Sequence, residues 1–391
     1  MSEHVASPLP LAELERRWAA LRAAMGEAGI DVLLAQANND FHGGTVKYLT
    51  DIPATSGVWV SVVFPLDNPM TVVTLGPEHG RIEAGGDVWR GALVLQGPTF
   101  AAVPYTSVFE TAQVVEALRP WARGTIGLLG SYQLSAALVG AVRAELPQAT
   151  LVEATDLLDA IRVIKSPAEQ ELIRRTAALQ DEAMRAAFTA VEPGMREREI
   201  TAIAQHVCND LGAEQGIYLS ASFPPGEPLG IRQRHFQDRV LREGDVLNLL
   251  VESNGPGGFY VELGRTIVLG EPPQRLVEEL AFTLEAQRFC LDLLRPGTPC
   301  AEIWSAYNDF MRANGRPEER RLHAHGQGHD LVERPLIRPE EPMTIEEGMS
   351  IVVHPTHMID GITSWICDNY LVGADGAGPS IHRFPQELAR L

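Results

Sequence analysis

The chain reads as a two-domain protein of mixed α/β (α+β) class. Its 391 residues exceed what one ordinary hydrophobic core serves. Roughly the first 155 residues alternate short β-type runs with helical patterns, as an α/β layered domain does. Beyond residue 160 the pattern changes to long amphipathic helices separated by strand-like runs, which places two domains at 1–160 and 161–391.

Taken in order, residues 11–29 (LAELERRWAALRAAMGEAG) carry apolar residues at helical spacing and stop at Gly29. IDVLLAQ, VWVSVVFPL, TVVTLG and ALVLQG read as strands, VVEALRPWA as helix, TIGLLG as strand and SAALVGAVRAEL as helix. Ser166-Pro167-Ala168-Glu169 combines an N-cap, a proline at the first helical position and a capping-box glutamate. It opens a helix over about 168–190. Further helices are predicted at 196–212, 275–294 and 300–314, and strands at 246–252, 258–268, 349–354 and 364–372. SNGPGGFYVE, residues 253–262, reads as a hairpin connection and not a phosphate cradle, since no GxxxxGK[ST] motif surrounds it. Strand alternation puts Glu252 on the same face as Leu250.

Composition narrows the partners. Hydrophobic content of 45% and charged content of 21% are those of a soluble globular protein. No run of about 18 apolar residues predicts a membrane span, and MSEHVASPLPLAELERRW lacks the basic and apolar regions of a secretory signal. Four scattered cysteines (Cys208, Cys290, Cys300, Cys367) without CxxC predict neither a disulfide framework nor a zinc module, and fit a reducing cytoplasm. A net charge of −19 disfavours nucleic acid and anionic membranes, which need a basic surface. The expected partner is a small-molecule substrate.

HAHGQGHDLVERP, residues 323–335, gathers three histidines, an aspartate and a glutamate around two glycines. Such a set serves either metal ligation or acid–base chemistry. Around it, RVIKSPAEQELIR, PGMREREITAIA, GDVLNLL, GGFYVELGRTIVLG, LLRPGTPCAEI, AHGQGHDLVERP, EEGMSIVVHP and DNYLVGADGAG occur in that order. The series resembles the creatinase/aminopeptidase P/prolidase family, and LRAAMGEAGIDVLL followed by VKYLTDI resembles that family's smaller domain. The resemblance covers nearly the whole chain. It implies a creatinase-type N-terminal α/β domain, a C-terminal pita-bread domain and a homodimer.

Metallopeptidases of that family hold two divalent ions with two Asp, one His and two Glu. Carried onto this sequence, the first Asp position falls on Leu250 or Val251, and the second on Glu262. The histidine is kept as His325. The first Glu is His354 and the last is Cys367, followed by Asp368. The family's further histidine is Val332, beside a retained Glu333. Two bridging carboxylates hold a pair of hard cations, and at most one of these five positions is a carboxylate, so a dinuclear centre is not expected.

Two functional readings follow. In the favoured one, as resemblance to creatinase implies, no metal or other cofactor is used. A C–N bond of a small amidine, guanidine or amide is then hydrolysed, with His235 of RQRHFQDRVLREGD as general acid/base. Glu262, His325 and His354 bind and polarise the substrate, Arg232 and Arg234 receive its carboxylate, and Cys367, Glu333 and His329 complete the pocket. In the alternative, Glu262, His325, His354 and Cys367 hold one zinc-like divalent ion in a hydrolase or lyase. A third class is a relative that binds partners without catalysis. His357 is a supporting residue in either enzyme reading.

Overall fold

A computed structural model describes residues 5–227 and 230–391. The chain divides into two compact units, Met1–Arg162 and Val163–Leu391.

The first unit is a seven-stranded mixed sheet of β1 (Val32–Ala37), β2 (Val60–Pro65), β3 (Met70–Leu75), β4 (Gly80–Ile82), β5 (Ala92–Gly97), β6 (Thr125–Leu129) and β7 (Thr150–Glu153), in the order β4-β5-β3-β2-β1-β6-β7. Its helices are α1 (Leu11–Ala28), α2 (Gly44–Thr50), α3 (Ser107–Leu118), α4 (Ala136–Glu145) and α5 (Thr155–Arg162). The predicted end of α1 is met: Gly29 takes φ +66°, a left-handed conformation that costs glycine little. α3 and α4 bury Val114, Val115, Leu118, Leu138 and Val142 against Val32, Leu34, Ile126 and Leu128. The short elements α2, β4 and β7 lack strong periodicity and were not predicted.

The second unit contains α6 (Pro167–Ala190), α7 (Glu197–Asp210), α8 (Gln274–Leu293) and α9 (Cys300–Ala313). The capping box at the start of α6 is formed: Glu169 N–H donates to Ser166 Oγ at 3.2 Å, and Ser166 N–H donates to Glu169 Oε2 at 2.7 Å. One sheet holds β8 (Gly216–Phe223), β9 (Val246–Asn254) and β10 (Tyr260–Val268), with the short β18 (Ala389–Arg390) beyond β10. The other holds β11 (Ala324–Gly326), β12 (Glu333–Leu336), β13 (Ser350–Val353), β16 (Asp368–Gly373) and β17 (Gly376–Ser380), in the order β12-β11-β13-β16-β17. β14 (Thr356–Ile359) and β15 (Ile362–Trp365) form a separate hairpin. The run 364–372, read as one strand, is therefore two, broken before Asp368.

Period-two alternation sorts each central strand between two cores. From β9, Leu247, Leu249 and Val251 pack with Leu179, Met184, Ile200 and Ala204 of α6 and α7. From β13, Ile351 and Val353 pack with Ala286, Cys290, Ile303 and Tyr307 of α8 and α9. The opposite faces meet: Leu250, Val352, Trp365 and Cys367 form one cluster between the sheets. Burying these side chains contributes on the order of 2 kcal/mol each. A bridge joins the sheets where Gly264 and Cys367 exchange backbone hydrogen bonds of 3.1 and 3.3 Å. Only glycine allows that approach, because a Cβ on Gly264 would lie 2.3 Å from Trp365.

Candidate active site

The space between the sheets collects polar groups from four strands. Glu252 on β9 pairs directly with Glu262 on β10, so both side chains leave the ladder on one face. His325 comes from β11, and His354 follows β13 in the adjacent strand. All four are buried, with exposures of 5%, 8%, 3% and 5%. One ligand atom from each of Glu262, His325 and His354 lies within 4.8 Å of the others. His325 Nε2 stands 3.9 Å from Glu262 Oε2, too long for a hydrogen bond, and the two imidazole centroids are 5.2 Å apart.

The tautomer of His325 follows from its neighbour. Nδ1 lies 2.8 Å from the carbonyl oxygen of Gly326, which only accepts, so Nδ1 carries the proton and Nε2 presents its lone pair to the cluster. Burial pushes His325 down to about 4, and burial plus the His325 charge takes His354 well below the ordinary imidazole range. Both imidazoles are thus neutral near pH 7. Burial pushes the Glu262 carboxyl up to about 7, and burial with the Glu262 charge takes Glu252 well above the usual carboxylate range.

A hydrogen-bonded chain fixes the carboxylates. Gln327 Nε2 donates to Glu252 Oε1 at 2.9 Å, Asn369 Nδ2 donates to Gln327 Oε1 at 2.8 Å, and the Glu262 N–H donates to Asn369 Oδ1 at 2.7 Å. Exposed Arg321 adds its positive charge to all four groups. The sequence reading missed Gln327, Asn369 and Arg321, and left Glu252 outside the set. Period two held the signal for three of them: residues 252, 327 and 369 each follow by two a position carried over from the family pattern, namely 250, 325 and 367. Val251 belongs to the helix-side core, so Leu250 faces the pocket and settles the one-residue ambiguity.

Several expected site residues stand elsewhere. His235 is exposed on the turn Arg234–Phe236, its ring edge-on to Phe236 at 5.0 Å, and the described residues show it there and not among the buried groups. Arg232 and Arg234 are also exposed; the backbone of Arg232 pairs with Ser220, and Arg234 donates to Gln205 at 3.3 Å. The direction of a loop before a strand is not encoded in its spacing from the turn. Cys367 does not join the ligand cluster: its Sγ sits 3.6 Å from the backbone oxygen of Glu262. Burial and the Glu262 charge push that thiol well above its ordinary range, away from a nucleophilic thiolate.

Glu333, expected to line the pocket, clamps its own loop. Its Oε1 accepts the N–H groups of His329 and Asp330 at 2.7 and 3.2 Å, and its Oε2 pairs with Lys165 at 2.8 Å. His329 stacks on Phe259 at 4.2 Å. Asp368 turns away from the pocket to a two-nitrogen pairing with Arg265 at 2.8 and 3.2 Å. His357 ties its strand to α8 through Glu279 at 2.8 Å.

The donor chemistry fits one divalent ion: one carboxylate and two neutral imidazoles, which leaves a coordination position open. It does not fit two, since Leu250 and Cys367 stand where further carboxylates would be required.

A buried donor set between two helix-backed sheets, in a chain that also carries a separate α/β unit, defines a metallopeptidase-like class of protein. Residues 171–374 match metallopeptidase family M24, and residues 17–164 match the creatinase/prolidase N-terminal domain. The chain belongs to metallopeptidase family M24, with the pita-bread fold. It is 26% identical over 330 residues to an uncharacterised hydrolase/peptidase, y4tM, of Sinorhizobium fredii, covering 80% of this chain and 79% of that protein. It is 28% identical over 244 residues to the probable dipeptidase PepE of Mycobacterium tuberculosis, covering 61% of this chain and 63% of that one. The fold superposes on the X-Pro aminopeptidase of Thermotoga maritima with a TM-score of 0.79 at 19% identity, covering 96% and 99% of the two chains.

Proposed function

We propose that this protein hydrolyses a C–N bond of a small amide, amidine or guanidine with one zinc-like divalent ion at Glu262, His325 and His354. The observation that carries the reading is the convergence of those three ligand atoms within 4.8 Å. The names of the M24 relatives, a hydrolase/peptidase and a dipeptidase among them, support hydrolysis.

When bound, a divalent ion supplies Lewis-acid polarisation of the scissile group and activation of water. The chain's own residues do the rest. Glu262 offers its carboxylate and the two imidazoles their lone pairs, with His325 held in the right tautomer by Gly326. Glu252, oriented by Gln327, takes the proton of the attacking water on a carboxyl oxygen and returns it to the leaving nitrogen. The walls of Leu250, Val352 and Trp365 exclude bulk water. Arg321 supplies positive charge for an acidic substrate group, the role expected of Arg232 and Arg234.

A second reading is the metal-free, creatinase-like cleavage of an amidine or guanidine. It is favoured by the Glu262 carboxyl near 7, which lets it exchange protons near neutrality without an ion. Under that reading the acid/base is the Glu252–Glu262 pair, while a shuttle at His235 requires the exposed turn to reach the substrate. Elemental analysis of protein purified without added metal, with a His325→Ala variant beside it, separates the two. One ion per chain, lost in the variant, is expected. Turnover that persists in strong chelator defeats the single-ion reading, and loss of that turnover in His235→Ala returns the shuttle to His235.

A further inference from the structure

A second concave site lies in the Val163–Leu391 unit. Gln170, Arg174, Ala178 and Asp181 line one face of α6, opposite the β16–β17 hairpin and the segment Ser380–Arg383, around a cavity of about 490 Å³. That volume suits a small ligand. In a chain with 51 acidic against 32 basic residues, partners for arginine are plentiful. Arg265, Arg239 and Arg334 are all paired with carboxylates. Arg174 and Arg383 nevertheless make no ion pair or side-chain hydrogen bond among the described residues. The one carboxylate in the lining, Asp181, forms no ion pair with either among the described residues; its oxygens accept the backbone N–H groups of Arg383 and Phe384 at 2.8 and 3.0 Å.

The rim is wired to the pocket between the sheets. Ile381 N–H donates to the backbone oxygen of Asn369 at 3.0 Å, and Ser380 Oγ donates to Asp368 at 3.2 Å. Asn369 is the residue whose side-chain amide holds both Glu262 and Gln327.

We infer that this cavity binds a small dianion, a dicarboxylate or a phosphate ester, through Arg174 and Arg383, and that binding stiffens the Ser380–Phe384 segment bonded to Asn369. Two unpaired guanidinium forks on one cavity match two negative charges, and each fork suits a carboxylate or phosphate in two-point contact. The inference does not depend on the hydrolytic reading of the other site.

Calorimetric titration of the full-length protein with succinate and with inorganic phosphate, at ionic strength held constant with sodium chloride, tests it. Saturable one-to-one binding with Kd below about 1 mM is expected for at least one of them. Succinate alone identifies a dicarboxylate site, and phosphate alone a phosphate site. In Arg174→Gln/Arg383→Gln the affinity falls at least about tenfold; both side chains are exposed, so the unfolding temperature is retained. Hydrogen exchange of the Ile381, Arg383 and Phe384 amides slows on binding in the wild type and not in the variant. No saturable heat up to about 10 mM of either probe, equal affinity in the variant, a response matched by chloride, or unchanged exchange at bound saturation overturns the inference.

Discussion

Glu252 and Glu262 stand directly opposite one another across the β9–β10 ladder, both buried, with Gln327 donating to the first and Asn369 accepting the backbone N–H of the second. Two bare carboxylates there would repel, so in the absence of a cation the pair holds a proton at neutral pH. Under the single-ion proposal the two residues have separate work: Glu262 groups with the two imidazoles, and Glu252 stands outside that three-residue set.

Glu252→Gln keeps the shape and the hydrogen-bonding capacity toward Gln327 but removes the base. Turnover is expected to fall by about 10²–10⁴, with bound metal unchanged. A variant with full kcat leaves Glu252 without a catalytic role.

His325→Ala and His354→Ala each remove one of three donors, and each is expected to abolish stoichiometric metal. Retention of one ion per chain in either variant, measured by elemental analysis after dialysis, places the ion elsewhere.

Glu262 sets a pH dependence. Its carboxyl rises from 4.5 to about 7 on folding, so the folded chain holds this proton more tightly than the unfolded chain does. The penalty is absent below pH 4.5 and grows as pH rises toward 7. Metal-free Glu262→Gln should therefore gain stability over the wild type across that window, by up to on the order of 3 kcal/mol. His325, lowered to about 4, has the opposite slope: its contribution is present above 6.5 and lost as pH falls toward 4. The variant-minus-wild-type difference cancels that background. Urea unfolding in chelator at pH 5 and pH 8 reads it, and a difference that does not grow with pH contradicts the burial of this charge.

Glu333→Gln leaves Lys165 buried without its carboxylate. A loss of about 3 kcal/mol in unfolding free energy is expected, with metal content intact. Loss of metal without loss of stability would instead place Glu333 in the site.

Gly264→Ala forces a methyl group against the Trp365 ring and Cys367 Cβ where the two sheets meet. Destabilisation of about 3 kcal/mol or more is expected from thermal or urea unfolding. A neutral result means that the sheets slide apart at low cost.

Much of the fold was legible because its long elements carry strong local signals. The capping box at Ser166 and the four amphipathic helices beyond it are dictated by residues within one or two turns. Short strands such as β11 and β12 are not, since three or four residues give no period to read. In the site, Glu262, His325 and His354 were readable one by one from sequence resemblance. Cys367 looked equally suited as a ligand, yet its sulfur meets a backbone oxygen beside the hydrophobic cluster, a matter of direction within the strand bridge at Gly264.

By itself the sequence determined residue types and their alternation: two domains, helices outside, strands within, and a donor set with too few carboxylates for two cations. Tertiary structure decided which of those residues meet. Glu252 entered the pocket because the β9–β10 register sets it across from Glu262, and His235 was left outside because its loop turns toward solvent. Local chemistry is carried by each residue wherever it lies, whereas convergence depends on register and on the packing of two sheets far apart in the chain.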